Sequence, residues 1–143
     1  MSVRIFFGMG ATVLAFVLGL WMGKGSPAQA AGSDQVFELR TYTTNSDRLP
    51  DLIDRFRTDI VRLLNKHGIK SVGYWVPQDE PRSKDTMIFL LSFPSREAAK
   101  ERWGKFESDP EWGKVREEMN KNGRVNSKIE SVFMVPTDFS PMK

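Results

Sequence analysis

The chain has no cysteine, one histidine and two tyrosines in 143 residues. Without cysteine there is no disulfide, no lipid-modified thiol, no thiolate metal site and no thiol nucleophile, so stability rests on packing alone. The one histidine, His67, is too few for an imidazole metal cluster, and no metal site or resident cofactor is expected. A glycine-rich phosphate loop, a zinc-binding His-Glu-x-x-His helix and a nucleophile elbow are also missing. A surplus of charge of one sign is lacking too. The formal net charge is +3 from 21 basic and 18 acidic residues, and setting aside Arg4 and Lys24 leaves 19 basic residues almost balanced by the 18 acidic ones. That balance, with no clustered basic patch, gives no nucleic-acid partner. Asp51, Asp54 and Asp59 share the polar side of one expected helix, so they do not form the facing carboxylates of a glycosidase-like hydrolase.

Long apolar runs are scarce, with one exception at the start. Residues 5–23 are apolar, follow Arg4 and lead to Pro27-Ala28-Gln29-Ala30, the three parts of a secretory signal with a cut after Ala30. The run exceeds the usual ~7–15 residues and approaches the ~20 that span a bilayer. Residues 1–30 therefore read as a signal peptide or a membrane anchor, residues 31–35 as a linker and residues 36–140 as one domain. The expected location is periplasmic or secreted after cleavage, or membrane-anchored through residues 5–23.

Within the domain the apolar periodicity changes several times. Residues 36–43 alternate as a strand, with Phe37, Leu39 and Thr41 opposite Glu38, Arg40 and Tyr42. After the capping candidates Asn45-Ser46-Asp47, Leu49, Leu52, Ile53, Phe56, Ile60, Leu63 and Leu64 recur at helical spacing, and His67-Gly68 closes the segment. Residues 70–77 form a second strand with Tyr74 and Trp75 on opposite faces. A polar turn leads to a third strand at 87–93, apolar on both faces. Ser95 caps a helix that breaks at Asp109-Pro110-Glu111 and restarts. Residues 128–135 are the last strand. The order β-α-β-β-α-β predicts a ferredoxin-like α+β sandwich with one sheet face uncovered. That face, carrying Tyr42 or Phe37, Tyr74 or Trp75, and Phe133 or Met134, is apolar enough to pair with a second copy, so a homodimer is expected.

Phe37-Glu38-Leu39-Arg40-Thr41-Tyr42, Arg55-Phe56-Arg57, His67-Gly68-Ile69, Val72-Gly73-Tyr74-Trp75, Asp109-Pro110-Glu111-Trp112 and Phe133-Met134-Val135-Pro136-Thr137-Asp138-Phe139-Ser140 resemble the NIPSNAP family. The resemblance implies a dimeric α+β barrel, similar to antibiotic-biosynthesis monooxygenases and haem-handling relatives, with a pocket beside the sheet in each subunit. Most family members have no established catalytic role. The expected function is a noncatalytic homodimer that binds a small hydrophobic ligand or a protein partner. The alternative is a cofactor-independent oxidoreductase or monooxygenase acting on an aromatic or quinone-like substrate.

The candidate ligand-binding residues are Arg40, Tyr42, Tyr74, Trp75, Trp103 and Trp112, and the catalytic candidates are Arg40, Tyr42 and His67. Arg40 offers a planar fork of donors to an oxygen or, in the bland reading, a salt bridge. Tyr42 shares its strand face and packs at an interface or meets the same oxygen. His67 sits at a helix end, where capping is the simplest role and proton transfer the alternative. Trp103, Phe106 and Trp112 wall an apolar pocket under the broken helix or fill the core. Asp109 is expected to satisfy the N–H groups of the restarted helix itself. Glu111, Glu117 and Glu118 read as solvated charge.

Overall fold

A computed structural model describes residues 35–142. The leader, its cleavage point at Ala30 and all but the last residue of the linker lie outside the described residues. Four strands, β1 (Val36–Thr44), β2 (Lys70–Trp75), β3 (Thr86–Phe93) and β4 (Asn126–Met134), form one sheet in the order β2-β3-β1-β4 with antiparallel neighbours. Both helical segments cover one face, giving the β-α-β-β-α-β arrangement expected from the periodicity. β2 stops two residues earlier than expected and β4 starts two residues earlier.

The first helical segment is one continuous run of α1 (Leu49–Arg55), a π-helical stretch (Phe56–Ile60) and α2 (Val61–Lys66). Its buried residues, Leu49, Leu52, Phe56, Ile60, Leu63 and Leu64, belong to the apolar periodicity, and Ile53, the remaining member, is half-buried against the same core. The expected cap is a correction: Arg48 occupies the N-cap, no side chain closes the first turn, and Pro50 supplies a residue that needs no donor there. Asn45 turns away to donate from Nδ2 to the Arg124 carbonyl at 2.7 Å. At the other end Gly68, at φ +70°, allows the Gly68 and Ile69 N–H groups to reach the carbonyls of Asn65 and Leu64. The second segment is broken as expected into α3 (Arg96–Glu107) and α4 (Pro110–Asn120), and Ser95 accepts from the Ala98 N–H at 3.1 Å.

Alternation left open which face of β1 meets the helices, and the charged one does. Glu38 pairs across to Leu91 and Phe133, Arg40 to Phe89 and Ser131, and Tyr42 to Met87 and Ile129, all on the helix-covered side. The core is built on Phe89, Leu91 and Phe93 of the central strand β3 against the first helical run, Ala99 and Phe106. The opposite face carries Phe37, Leu39, Leu90, Trp75, Val132 and Met134, of which Trp75 and Val132 remain 52% and 54% exposed. Trp75 folds back across Gly73, where a Cβ would come within 2.6 Å of its ring.

Candidate functional site

Three alternate residues of β1, Glu38, Arg40 and Tyr42, form one polar line under α3. Glu38 is 1% exposed, and its carboxylate accepts three hydrogen bonds: from Arg40 Nη1 at 2.8 Å, Ser131 Oγ at 2.6 Å and Trp103 Nε1 at 2.6 Å. A buried carboxylate needs such a set of donors to remain charged. The second guanidinium nitrogen of Arg40 donates to Tyr42 Oη at 3.1 Å, and the guanidinium stands 4.4 Å from the centre of the Trp103 ring. Burial acts to lower the Arg40 pKa, but the Tyr42 and Glu38 oxygens outweigh it, and the value is raised. Burial raises the Tyr42 pKa above its ordinary 10.0 despite the opposing pull of Arg40. The hydroxyl therefore stays protonated. Its oxygen already accepts from Arg40, so its own proton is available to an acceptor.

Arg40 and Tyr42 of this line form one wall of a cavity of about 410 Å³ between the sheet and the helices. That volume lies in the roughly 300–1,000 Å³ range of small-molecule sites. Leu52, Phe56, Ile60 and Leu64 form one apolar side, Phe89 the floor, and Trp103, Phe106 and Trp112 the far side. The last three form a run of aromatic contacts, with Trp103 edge-on to Phe106 and Phe106 tilted against Trp112. Phe56 and Ile60, the first and last residues of the π-helical stretch, both line it. Single π turns inside α-helices occur frequently at functional sites. Two buried side-chain polar atoms among the described residues have no hydrogen-bond partner, Arg40 Nε and Asn126 Oδ1, and both residues line this cavity.

Four of the sequence-derived candidates, Arg40, Tyr42, Trp103 and Trp112, thus come together, with Phe106. The other three do not. His67 Nε2 lies 2.7 Å from Asp109 Oδ2 and its ring meets the edge of Phe106 from behind the cavity wall. His67 occupies the C-cap of α2 as expected, but it closes the Leu63 and Leu64 carbonyls with its backbone N–H, both at 3.2 Å, while its ring ties α2 to the start of α4. Asp109 also accepts from the Glu111 N–H at 2.8 Å, as expected, and from Lys66 at 2.7 Å. Hydrogen bonds from Lys66, the Glu111 backbone and His67 hold its carboxyl well below the usual carboxylate range. Tyr74 packs its ring on Phe56 and Phe89 and bonds Ser71 through its hydroxyl, outside the cavity lining. Trp75 is on the uncovered face. Glu111 binds Arg62 and Lys66 across the helix pair rather than standing solvated.

In the sequence Glu38 reads only as one residue of the mixed face of the first strand, yet it anchors the whole polar line. The signal was present: Glu38 and Arg40 are two apart on a strand and must share a face. Among the described residues no group of three or more His, Asp or Glu could hold a metal ion, and no helix is long and apolar enough to cross a membrane.

An antiparallel sheet of this order, covered on one face by helices that enclose a cavity, defines a ferredoxin-like α+β protein. The model of the NIPSNAP family matches residues 37–141, and the chain belongs to that family. The structure is similar to a NIPSNAP-like protein of Burkholderia xenovorans at 15% identity and a TM-score of 0.68, over 77% of this chain and 91% of the other. It is similar to a NIPSNAP family protein of Agrobacterium tumefaciens at 22% identity and a TM-score of 0.68, over 76% and 99%. A monooxygenase of Streptomyces coelicolor, in complex with nanaomycin D, shares the fold at 16% identity and a TM-score of 0.52, over 71% and 87%. No curated protein matches the chain.

Proposed function

We propose that the protein is an exported homodimer that binds a small, flat, apolar molecule in the cavity without transforming it. The observation that carries this reading is the Arg40 and Tyr42 pair. It presents a protonated hydroxyl and a buried cation beside aromatic walls, so a carbonyl or phenolic oxygen of the ligand finds donors while its body stacks on the rings. Among the described residues no free base accompanies the donors. Glu38 is committed to three hydrogen bonds, His67 lies behind the wall, and Glu107 accepts from Trp112 Nε1 and pairs with Arg116. Export rests on the signal-like residues 1–30, with anchoring through residues 5–23 as the alternative outcome. Dimerisation rests on the uncovered apolar sheet face.

A second reading is cofactor-independent oxygenation of the bound molecule by dioxygen, with Arg40 orienting the substrate oxygen. The shared fold with a monooxygenase favours it. One experiment separates the two. The full-length protein is mixed with hydroxynaphthalene ligands while binding and oxygen uptake are followed together. Binding that Tyr42→Phe weakens, with no oxygen uptake, supports the first reading; uptake that Arg40→Met abolishes supports the second.

A further inference from the structure

We infer that the ligand is an acid, its carboxylate held at the cavity mouth by Arg124, and this rests on the cavity being the binding site. Apart from the Arg40 and Tyr42 pair on β1, most of the polar lining of the cavity gathers at one end. Its depth is formed by Leu52, Phe56, Phe89 and the aromatic run, whereas Arg116, Asn120, Arg124 and Asn126 converge at the end where α4 passes into β4. Three arginines line it, and they are not equivalent. Arg40 is balanced by Glu38 at 2.8 Å and Arg116 by Glu107 at 3.7 Å, while Arg124 has no ion pair among the described residues.

The balance of charge decides which part of the ligand goes where. At the depth the cation is already neutralised, so a neutral oxygen fits and a second anion would face Glu38. At the mouth an uncompensated guanidinium, with a fork of donors that matches a planar carboxylate, remains to be paired. The end of α4 nearby would ordinarily oppose an anion through its exposed carbonyls. That opposition is blunted, because Arg48 already donates to the carbonyls of Met119, Asn122 and Gly123. Arg40 and Thr44, the strand partner of Asn126, are four residues apart on β1, about 13 Å at strand rise. The class is therefore an elongated aromatic or apolar carboxylic acid with an oxygen acceptor at its far end.

The test uses the full-length protein, a hydroxynaphthoate and its methyl ester, titrated by calorimetry. The acid binds at least about tenfold more tightly than the ester, and raising the salt concentration narrows the gap. Arg124→Gln, an exposed change, removes the preference for the acid and leaves the ester unchanged, whereas Tyr42→Phe weakens both alike. Equal binding of acid and ester, both weakened by Tyr42→Phe, overturns the carboxylate assignment and leaves the cavity reading intact. Binding of neither, or binding indifferent to Tyr42→Phe, overturns both.

Discussion

Glu38 shows how a single residue can support both the fold and the site. Its carboxylate joins β1 to β4 through Ser131, to α3 through Trp103 and to the cavity through Arg40. Removing one member of a buried ion pair leaves the other charge uncompensated, so Glu38→Ala is expected to cost about 3–5 kcal/mol, read from urea unfolding. Arg40→Met leaves Glu38 with its two other donors and should cost less. Asp109 gives a prediction with a defined pH direction. Its folded pKa is depressed, so its contribution to stability is present above its ordinary 3.8 and is lost as pH falls below that value. Asp109→Asn should therefore be less stable than the parent at neutral pH, and the gap should narrow as pH falls below 3.8 in thermal melts.

The elements were largely legible, since each rests on a local signal. Ser95 before Ala98 is a cap in sequence and in structure, and Ser95→Ala should lower stability by about 1 kcal/mol. Gly68 holds a left-handed turn, so Gly68→Ala should cost roughly 1–2 kcal/mol in the same unfolding assay. Two features were not legible for physical reasons. Alternation fixes which residues share a strand face but not which face is covered, and here the face with Glu38 and Arg40 is buried because partners from Trp103 and Ser131 satisfy it. The π turn at Phe56 adds one residue to a helical turn without any change in apolar spacing large enough to mark it. His67 illustrates the same limit, because its partner Asp109 is 42 residues away.

At the scale of the whole molecule, the two faces of the sheet have separate duties. The covered face builds the cavity, and the uncovered face carries Trp75, Val132, Met134 and Leu39, the apolar residues on which the proposed dimer rests. Val132→Glu places a charge at an exposed position of that face, and sedimentation should show a monomer in place of a dimer while the fold is retained. A charge there should leave ligand affinity nearly unchanged, since it lies on the side of the sheet away from Arg40. Whether the cavity holds a small molecule through Arg40 and Tyr42 is read out by native mass spectrometry of the full-length protein isolated from its own host. A reproducible, noncovalent added mass of one small acid per subunit, lost in Arg40→Met, is expected; subunits of bare polypeptide mass, or an added mass that survives Arg40→Met, would show that this pair does not hold a ligand.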